Sequence, residues 1–390
     1  MSELSPLQRV KKKYASVLKM SSDDALIVDC FMAAVTAVFN RRLNESVWMY
    51  FIGPPGSGKT ETVSSLRGYP RAVMLTTPTE NAFMSGTNDE KGDDPSLLPL
   101  LDGKILVWKD FTAMMELKRG TVDKILGELR DVYDQYCSKA SGKIGFREYS
   151  ARFGMIACVT GAIDSFMEHH QQLGQRFLSF RINRISQSHA QRIADLKNIR
   201  RGMNDKEKWK EELRLCVQGA LAETAVECTK GGVPSVPADI EERIIIMSDV
   251  LALARTVPQN DKGNTVNRPE IASRIMQQLI NLGSGHAIVD GRNVLDESDM
   301  QLICRVVLDS LPLVRRRLLG YMFRCGPNCP ANPPNILAEK AGTDPREIVP
   351  LLRQLAYSGI LKADNAVKEG EVWYKLSEDI YKSNQRVEVF

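Results

Sequence analysis

The chain reads as an α/β protein built on a parallel sheet, and three observations predict it. Short, wholly apolar runs recur through the first half, as strands buried on both faces require. Segments of helical length alternate with them, the pattern of parallel strands joined by crossover helices. The first clear run, Val47–Ile52 (VWMYFI), passes straight into Gly53-Pro54-Pro55-Gly56-Ser57-Gly58-Lys59-Thr60, a strand-to-helix turn with a defined chemistry.

The elements follow in order. Met1–Asp24 is polar and basic, with Lys11, Lys12 and Lys13 in a row, and is expected to be an N-terminal extension. Ser21 or Ser22, followed by Asp23 and Asp24, marks a helix start, and the apolar helix Ala25–Phe39 follows. Val47–Ile52 is the first strand, and Glu61–Leu66 opens the next helix. Ala72–Leu75 is a second strand, and Asn81–Asp94 is polar and Gly-rich, hence a loop. Lys104–Trp108 is a third strand, Val122–Tyr136 a helix, Phe153–Thr160 a fourth strand and Leu178–Ile182 a fifth. The character changes after Ile185. Ser186–Met203 reads as a basic helix and Asn204–Cys228 as a charged amphipathic one. After the Gly/Pro linker Gly231–Pro237 come helices at Ala238–Arg255, Pro269–His286 and Glu297–Leu311. From Leu313 a third unit begins. Asn335–Ala341, a turn at Gly342–Pro345 and Arg346–Gly359 form a helix-turn-helix arrangement. Ile360–Ala363 and Val372–Leu376 form a hairpin wing with Lys368–Gly370 at its tip. The expected domains are therefore 1–24, 25–185, 186–312 and 313–390.

Composition bounds the class. With 390 residues, 43% hydrophobic and 26% charged, the chain has an ordinary globular balance, not a disordered or fibrous one. Its apolar stretches fall short of the ~18–20 residues that cross a bilayer, and Met1–Ser16 lacks the pattern of a signal peptide, so no membrane and a cytoplasmic location are expected. Eight scattered cysteines suit reduced, buried thiols. Cys325 and Cys329 form one close pair, read as structural thiols, with a metal clip as the other reading. A net charge of +4 neither demands nor excludes nucleic acid.

Gly53–Thr60 satisfies G-x-x-x-x-G-K-[ST] between an apolar strand and a helix start. Glycines allow backbone N–H groups to converge on phosphate oxygens where a side chain would block the approach. Gly53, Pro54, Pro55, Gly56, Ser57 and Gly58 are the cradle. Lys59 reaches the β- and γ-phosphates, Thr60 offers its hydroxyl to Mg²⁺, and Glu61 follows at the helix start. ATP and Mg²⁺ are the expected ligands. The acid that serves the metal is sought at the end of a neighbouring apolar strand, and Ile105–Asp110 (ILVWKD) supplies Asp110. Asp110 either holds the metal's water shell, leaving Glu128, Asp131 or Asp134 to activate water, or itself polarises that water. Thr160, ending the fourth strand, is placed to contact the γ-phosphate or position water.

These residues resemble the AAA+ superfamily, and within it the minichromosome-maintenance-like ATPases, including helicase-like proteins of phages and mobile elements. The resemblance spans Trp48 to Ser310. The phosphate loop matches closely. Lys104–Thr112 (KILVWKDFT) resembles the metal strand, with Lys109 standing where the family has an acid. Leu126–Gly142 (LGELRDVYDQYCSKASG) resembles a helix and hairpin on which, by that likeness, Lys139 and Lys143 touch DNA phosphates in a central channel. Leu173-Gly174-Gln175-Arg176-Phe177 is similar to an arginine-finger segment, which implies that Arg176 reaches a neighbouring subunit's ATP. Val250–Arg255, Glu270–Leu282 and Gly291–Asp299 resemble the helical lid, with Arg274 as its sensor. The implied architecture is an AAA+ P-loop parallel sheet with helices on both faces, then an α-helical lid and a C-terminal winged-helix-like domain. A planar fork of donors suits the charge that builds on the γ-phosphoryl oxygens.

In the C-terminal unit, Arg315, Arg316 and Arg317 precede the helix pair. Arg346, Arg353 and Gln354 lie on its second helix, with Lys362 and Lys368 in the wing. These residue types read base edges or bind phosphates, although such a unit also serves as a protein-contact module. The expected function is an ATP-hydrolysing motor acting on DNA, helicase or translocase-like, with ATP shared between subunits of a ring such as a hexamer. An ATP-switched DNA-binding loader or regulator, and a protein-remodelling ATPase docking partners through its C-terminal domain, are the alternatives.

Overall fold

In the computed structural model, residues 4–18, 22–143, 145–169, 176–182, 193, 197, 206–256, 259–261, 264–266, 271–326, 328, 330–368, 371–387 and 389 are described. They fall into two compact units, Met1–Ser235 with Asn281–Leu302, and Val236–Ile280 with Ile303–Phe390.

The first unit holds a five-stranded parallel sheet. Its strands are β1 (Trp48–Ile52), β2 (Ala72–Leu75), β3 (Ile105–Trp108), β6 (Gly154–Val159) and β7 (Phe177–Arg181), in the order β2-β3-β6-β1-β7. β1, β3, β6 and β7 are buried at every position, which is why β1, β3 and β6 read as unbroken apolar runs rather than alternating ones, while β7 also buries Ser179 and Arg181. Register sets Ile52 beside Val159 and Arg181, and Trp108 beside Ala157. The carboxyl ends of β1, β3, β6 and β7 therefore lie along one edge.

Helices flank the sheet: α2 (Ser22–Phe39), α3 (Lys59–Ser64), α4 (Leu98–Leu101), α5 (Phe111–Met115), α6 (Arg119–Tyr133) and α7 (Ile163–His169). One face of the sheet carries an aromatic core. Tyr50 stacks on Phe177 at 4.0 Å, and Trp48 meets Tyr133 edge-on at 4.8 Å, geometries that add to plain area burial. On α2's side, a Cβ on Gly154 would lie 2.3 Å from Val38 Cγ2, so helix and strand touch at a spacing only glycine allows.

The stretch expected as an N-terminal extension is instead helix α1 (Pro6–Leu18). Leu7, Val10 and Tyr14 are fully buried; their helical spacing is masked in the sequence by the lysine run. α1 packs along α8 (Lys206–Lys230) through Lys13–Glu212 at 2.6 Å and an Arg9–Glu223 pair. The helix expected at 186–203 lies outside the described residues apart from 193 and 197. The antiparallel hairpin β4 (Tyr136–Ser141) and β5 (Gly145–Ser150) stands where the resemblance over Leu126–Gly142 implied one. It begins where the helical pattern, expected to reach Tyr136, stops at Tyr133.

The second unit contains α9 (Ala238–Arg255), short strands β8 (Gln259–Asp261) and β9 (Asn264–Val266), α12 (Leu313–Cys325), α13 (Pro334–Ala341), α14 (Pro345–Tyr357), the hairpin β10 (Leu361–Lys368) and β11 (Glu371–Leu376), and α15 (Glu378–Val387). α10 (Ser273–Val289) and α11 (Glu297–Asp309) contribute to both units. The units thus cut across the boundaries expected at 186 and 313. A Cβ on Gly285 would fall 2.2 Å from Ala33 O, which seats α10 directly on α2. Among the described residues no helix is long and apolar enough to cross a membrane.

Candidate functional site

The loop Gly53–Gly58 sits at the carboxyl edge of the sheet, where ligands of parallel α/β sheets bind. β1 delivers it and β6 anchors it, since Gly53 N donates to Val159 O at 3.1 Å. Ile182 N donates to Ile52 O at 2.8 Å on the other side. A Cβ on Gly53 would meet Ser57 Oγ at 2.8 Å and Ile182 Cβ at 3.3 Å, so a side chain here would crowd the loop. Gly56 and Gly58 hold φ of +75° and +92°, a left-handed backbone that favours glycine at both positions. Pro54, Pro55 and Gly56 are exposed, and Thr60 is exposed at the second position of α3.

Lys59 is buried, 8% exposed. Its ammonium donates to Gly53 O at 2.6 Å, Pro54 O at 3.0 Å and Ser57 Oγ at 3.3 Å. Burial lowers its pKa, opposed by the nearby Cys158 and Asp110. Cys158, beneath the loop in β6, has its thiol pushed up to about 12 by burial, so it is an inert packing group. Glu61 faces Lys210 of α8 at 4.0 Å.

Asp110 is exposed and caps α5, its Oδ1 accepting from Ala113 N at 3.2 Å. Thr160 follows β6 on the same edge. Its N–H donates to Thr112 Oγ1 at 3.1 Å, which ties the turn after Asp110 to the end of the strand beside the loop. The sequence pattern singled out Asp110 and Thr160 but not Thr112. Arg181 was also missed. It ends β7 beside Ile52 and forms a two-pronged pair with Asp164 of α7, at 2.9 and 2.6 Å. A strand-terminal Arg gives no local signal of that partner.

The remaining expected site residues are placed as follows. Glu128, expected among the water-activating acids, pairs with Lys139 at 3.0 Å. Lys139 Nζ also donates to Asn81 Oδ1 at 2.8 Å and to Met84 O. Lys139 therefore does not project into open space; it stitches β4 to α6 and to the loop after β2. Ser141 to Gly86 O, Arg147 with Asp94 and Tyr149 with Asp94 continue this stitching. Lys143, at the hairpin tip, is exposed. Asp131 pairs with Arg130 at 3.3 Å and Asp134 with Arg176 at 3.5 Å.

Within the single chain, Arg176 is turned inward. It is 8% exposed, its guanidinium lies 5.5 Å from the centre of the Tyr133 ring, and it precedes β7, at the edge opposite the phosphate loop. The aromatic face and Asp134 hold it inward. Leu173–Gln175 lie outside the described residues. Arg274 sits in the first turn of α10, in the second unit.

In the second unit, α13 and α14 form the expected helix pair, with Gly342 at φ +70° closing α13 and Asp344 capping α14. Arg346 and Arg353 on α14 and Lys362 on β10 are exposed. Lys368 pairs in register with Glu371 at the end of the hairpin, and its side chain lies outside the described residues. Arg315 and Gln354 depart from the expected reading. Arg315 is 3% exposed and donates to Ala254 O, Thr256 O and Gln354 Oε1. Arg316 pairs with Asp309. These groups brace the helices of the unit, so the Arg triplet is not a free basic patch. Cys325 is free and Cys329 lies outside the described residues.

Compared with known protein families and with curated proteins, the chain matches no family model and no curated sequence.

Proposed function

We propose that this chain binds Mg²⁺–ATP at Gly53–Thr60 and hydrolyses it, as an AAA+-like ATPase acting on DNA. The observation that carries the reading is the loop itself: a buried parallel strand runs into two positive-φ glycines with Lys59 held beneath them, and Asp110 and Thr160 stand on the same sheet edge. Converging backbone amides and a buried ammonium form an anion site of triphosphate character.

Lys59 is kept in place by the loop's own carbonyls, so its charge is pre-positioned and transfers from these acceptors to phosphate oxygens. The oxygen-only pair Thr60 and Asp110, both exposed, fits Mg²⁺, which takes one or two side chains together with substrate phosphates. The metal supplies neutralisation of phosphate charge. Thr160, fixed by Thr112, positions the attacking water. With Glu128 engaged by Lys139, Asp110, close enough to act on the charge of Lys59, serves either role. In the ring form of the proposal, Arg176 leaves Tyr133 and Asp134 when subunits assemble.

DNA is engaged by the exposed Lys143 at the hairpin tip and by Arg346 and Arg353 on α14. The engagement of Lys139 favours a second reading, an ATP-switched loader or regulator, because a hairpin stitched to α6 and to the loop after β2 moves only with them. Steady-state ATP turnover without DNA, with single strands and with duplex tests both. A motor shows DNA-stimulated turnover and strand displacement. A regulator binds duplex without displacement, and absence of magnesium-dependent ATP binding sinks both readings.

A further inference from the structure

We propose that the outward face of α8 takes a second copy of this chain, antiparallel, about a two-fold axis between Gly219 and Ala222. The inference does not depend on the nucleotide reading.

α8 is 25 residues long. Leu213, Val217 and Leu221 face inward and are buried. Its flank is taken by α1 through Glu212 and Glu223, and Gln218 donates to Ser65 O at 3.1 Å and Arg67 O at 3.0 Å. The outward side carries Leu215 and Val226, 62% and 49% exposed. Gly219 and Ala222 are exposed between them, and a Cβ on Gly219 would meet nothing. Helical periodicity puts the four on one stripe, its small centre open to close approach by another backbone.

Charge and symmetry identify the occupant. A two-fold contact pairs residue i with j and j with i. Leu215 and Val226 lie equally far from the Gly219–Ala222 midpoint, so each meets the other across the axis. Glu211 and Lys230 are also equidistant from it, and both are exposed. The antiparallel arrangement therefore sets Glu211 of one copy against Lys230 of the other at both ends of the contact, whereas a parallel one opposes like charges. Within one chain, Glu211 pairs with Arg214 at 2.5 Å and Lys230 with Glu227 at 3.5 Å. Exposed pairs of this kind are weak and re-pair readily. One helix face is small beside a standard interface of about 1,600 Å², so the dimer is weak, forming at concentrations on the order of tens of micromolar.

Sedimentation velocity of the full chain without nucleotide, from about 5 to about 500 µM at low salt, tests this. The expected result is a reversible monomer–dimer equilibrium that Leu215→Glu weakens at least ~10-fold. Glu211→Lys weakens it several-fold, and the double change Glu211→Lys with Lys230→Glu restores it to within about 3-fold. All these positions are exposed, and circular dichroism melts verify that the variants stay folded. A chain monomeric across the range, an oligomer indifferent to Leu215→Glu, or a double charge swap no better than the single one overturns the proposal.

Discussion

Lys139 of β4 meets Glu128 Oε1 of α6 at 3.0 Å, and Glu128 Oε2, though buried, has no hydrogen-bond partner. Glu128 thus relies on this ammonium for its compensation, and removing one member leaves a charge stranded. Lys139→Met should lower stability by about 2–3 kcal/mol, a fall of about 5 °C or more in melting temperature. Lys139→Met with Glu128→Leu should recover most of that loss. A lysine serving DNA alone predicts an unchanged melt, so calorimetry of the single and double variants decides between the roles.

At the loop, Lys59 and Asp110 should separate binding from turnover. Lys59→Ala removes the buried charge that the loop carbonyls hold, and ATP affinity should fall ~100-fold or more. Asp110→Asn keeps a side-chain acceptor for the α5 cap but loses the charge. ATP binding should stay within ~10-fold while turnover drops about 100-fold. Fluorescent-nucleotide titration and phosphate release measure the two quantities. Equal losses of binding and turnover for Asp110→Asn would remove it from the catalytic role.

The parts of this picture that sequence shows are those with a short-range physical signal. β1, β3 and β6 are continuous apolar runs because both their faces are covered, and Gly53–Thr60 is recognisable because phosphate approach restricts residue types over eight consecutive positions. Ala72–Leu75 and Ala238–Arg255 were delimited residue for residue. What escaped depends on partners distant in the chain. The apolar stripe of α1 is interrupted by lysines that reach Asp29 and Glu212. Arg315 looks like a surface charge until the carbonyls of Ala254 and Thr256 are seen around it. The stitching of Lys139 to Glu128, Asn81 and Met84 is set by tertiary packing, with no local pattern to announce it.

Arg176 allows a direct test of the shared-site form of the proposal. Against Tyr133 and Asp134 it contributes to the fold, so Arg176→Ala should lower the melting temperature by a few degrees, corresponding to about 1–2 kcal/mol. If the side chain also serves a neighbour's nucleotide, mixing Arg176→Ala with Lys59→Ala subunits should restore part of the turnover, because some interfaces then hold one intact half of each kind. A stability loss with no rescue in the mixture confines Arg176 to packing.

The strongest pH dependence should come from the buried network around His286. From α10, His286 Nδ1 lies 2.6 Å from Asp299 of α11 and its Nε2 lies 3.7 Å from Asp29 of α2. Lys11 of α1 pairs with Asp29 at 2.8 Å, and Arg292 grips Asp299 at 2.7 and 2.9 Å. Burial alone pushes His286 down, but the carboxylates of Asp29 and Asp299 beside the ring outweigh it and raise the pKa above 6.5. Asp299 is held below 3.8, since Arg292 and His286 overcome the opposing effect of its burial. A raised imidazole stabilises fully below its unfolded value, and that contribution is lost as pH rises through the folded value. A depressed carboxylate stabilises above its unfolded value, and its contribution is lost as pH falls through the folded one. The network therefore contributes in full between about pH 4 and about pH 6.5. Melting temperature should decline as pH rises above that window. His286→Asn should melt lower at pH 6 and flatten the decline between about pH 6.5 and 8.5. Denaturation across pH 5–9 checks this, and an unchanged slope in the variant removes His286 as its source.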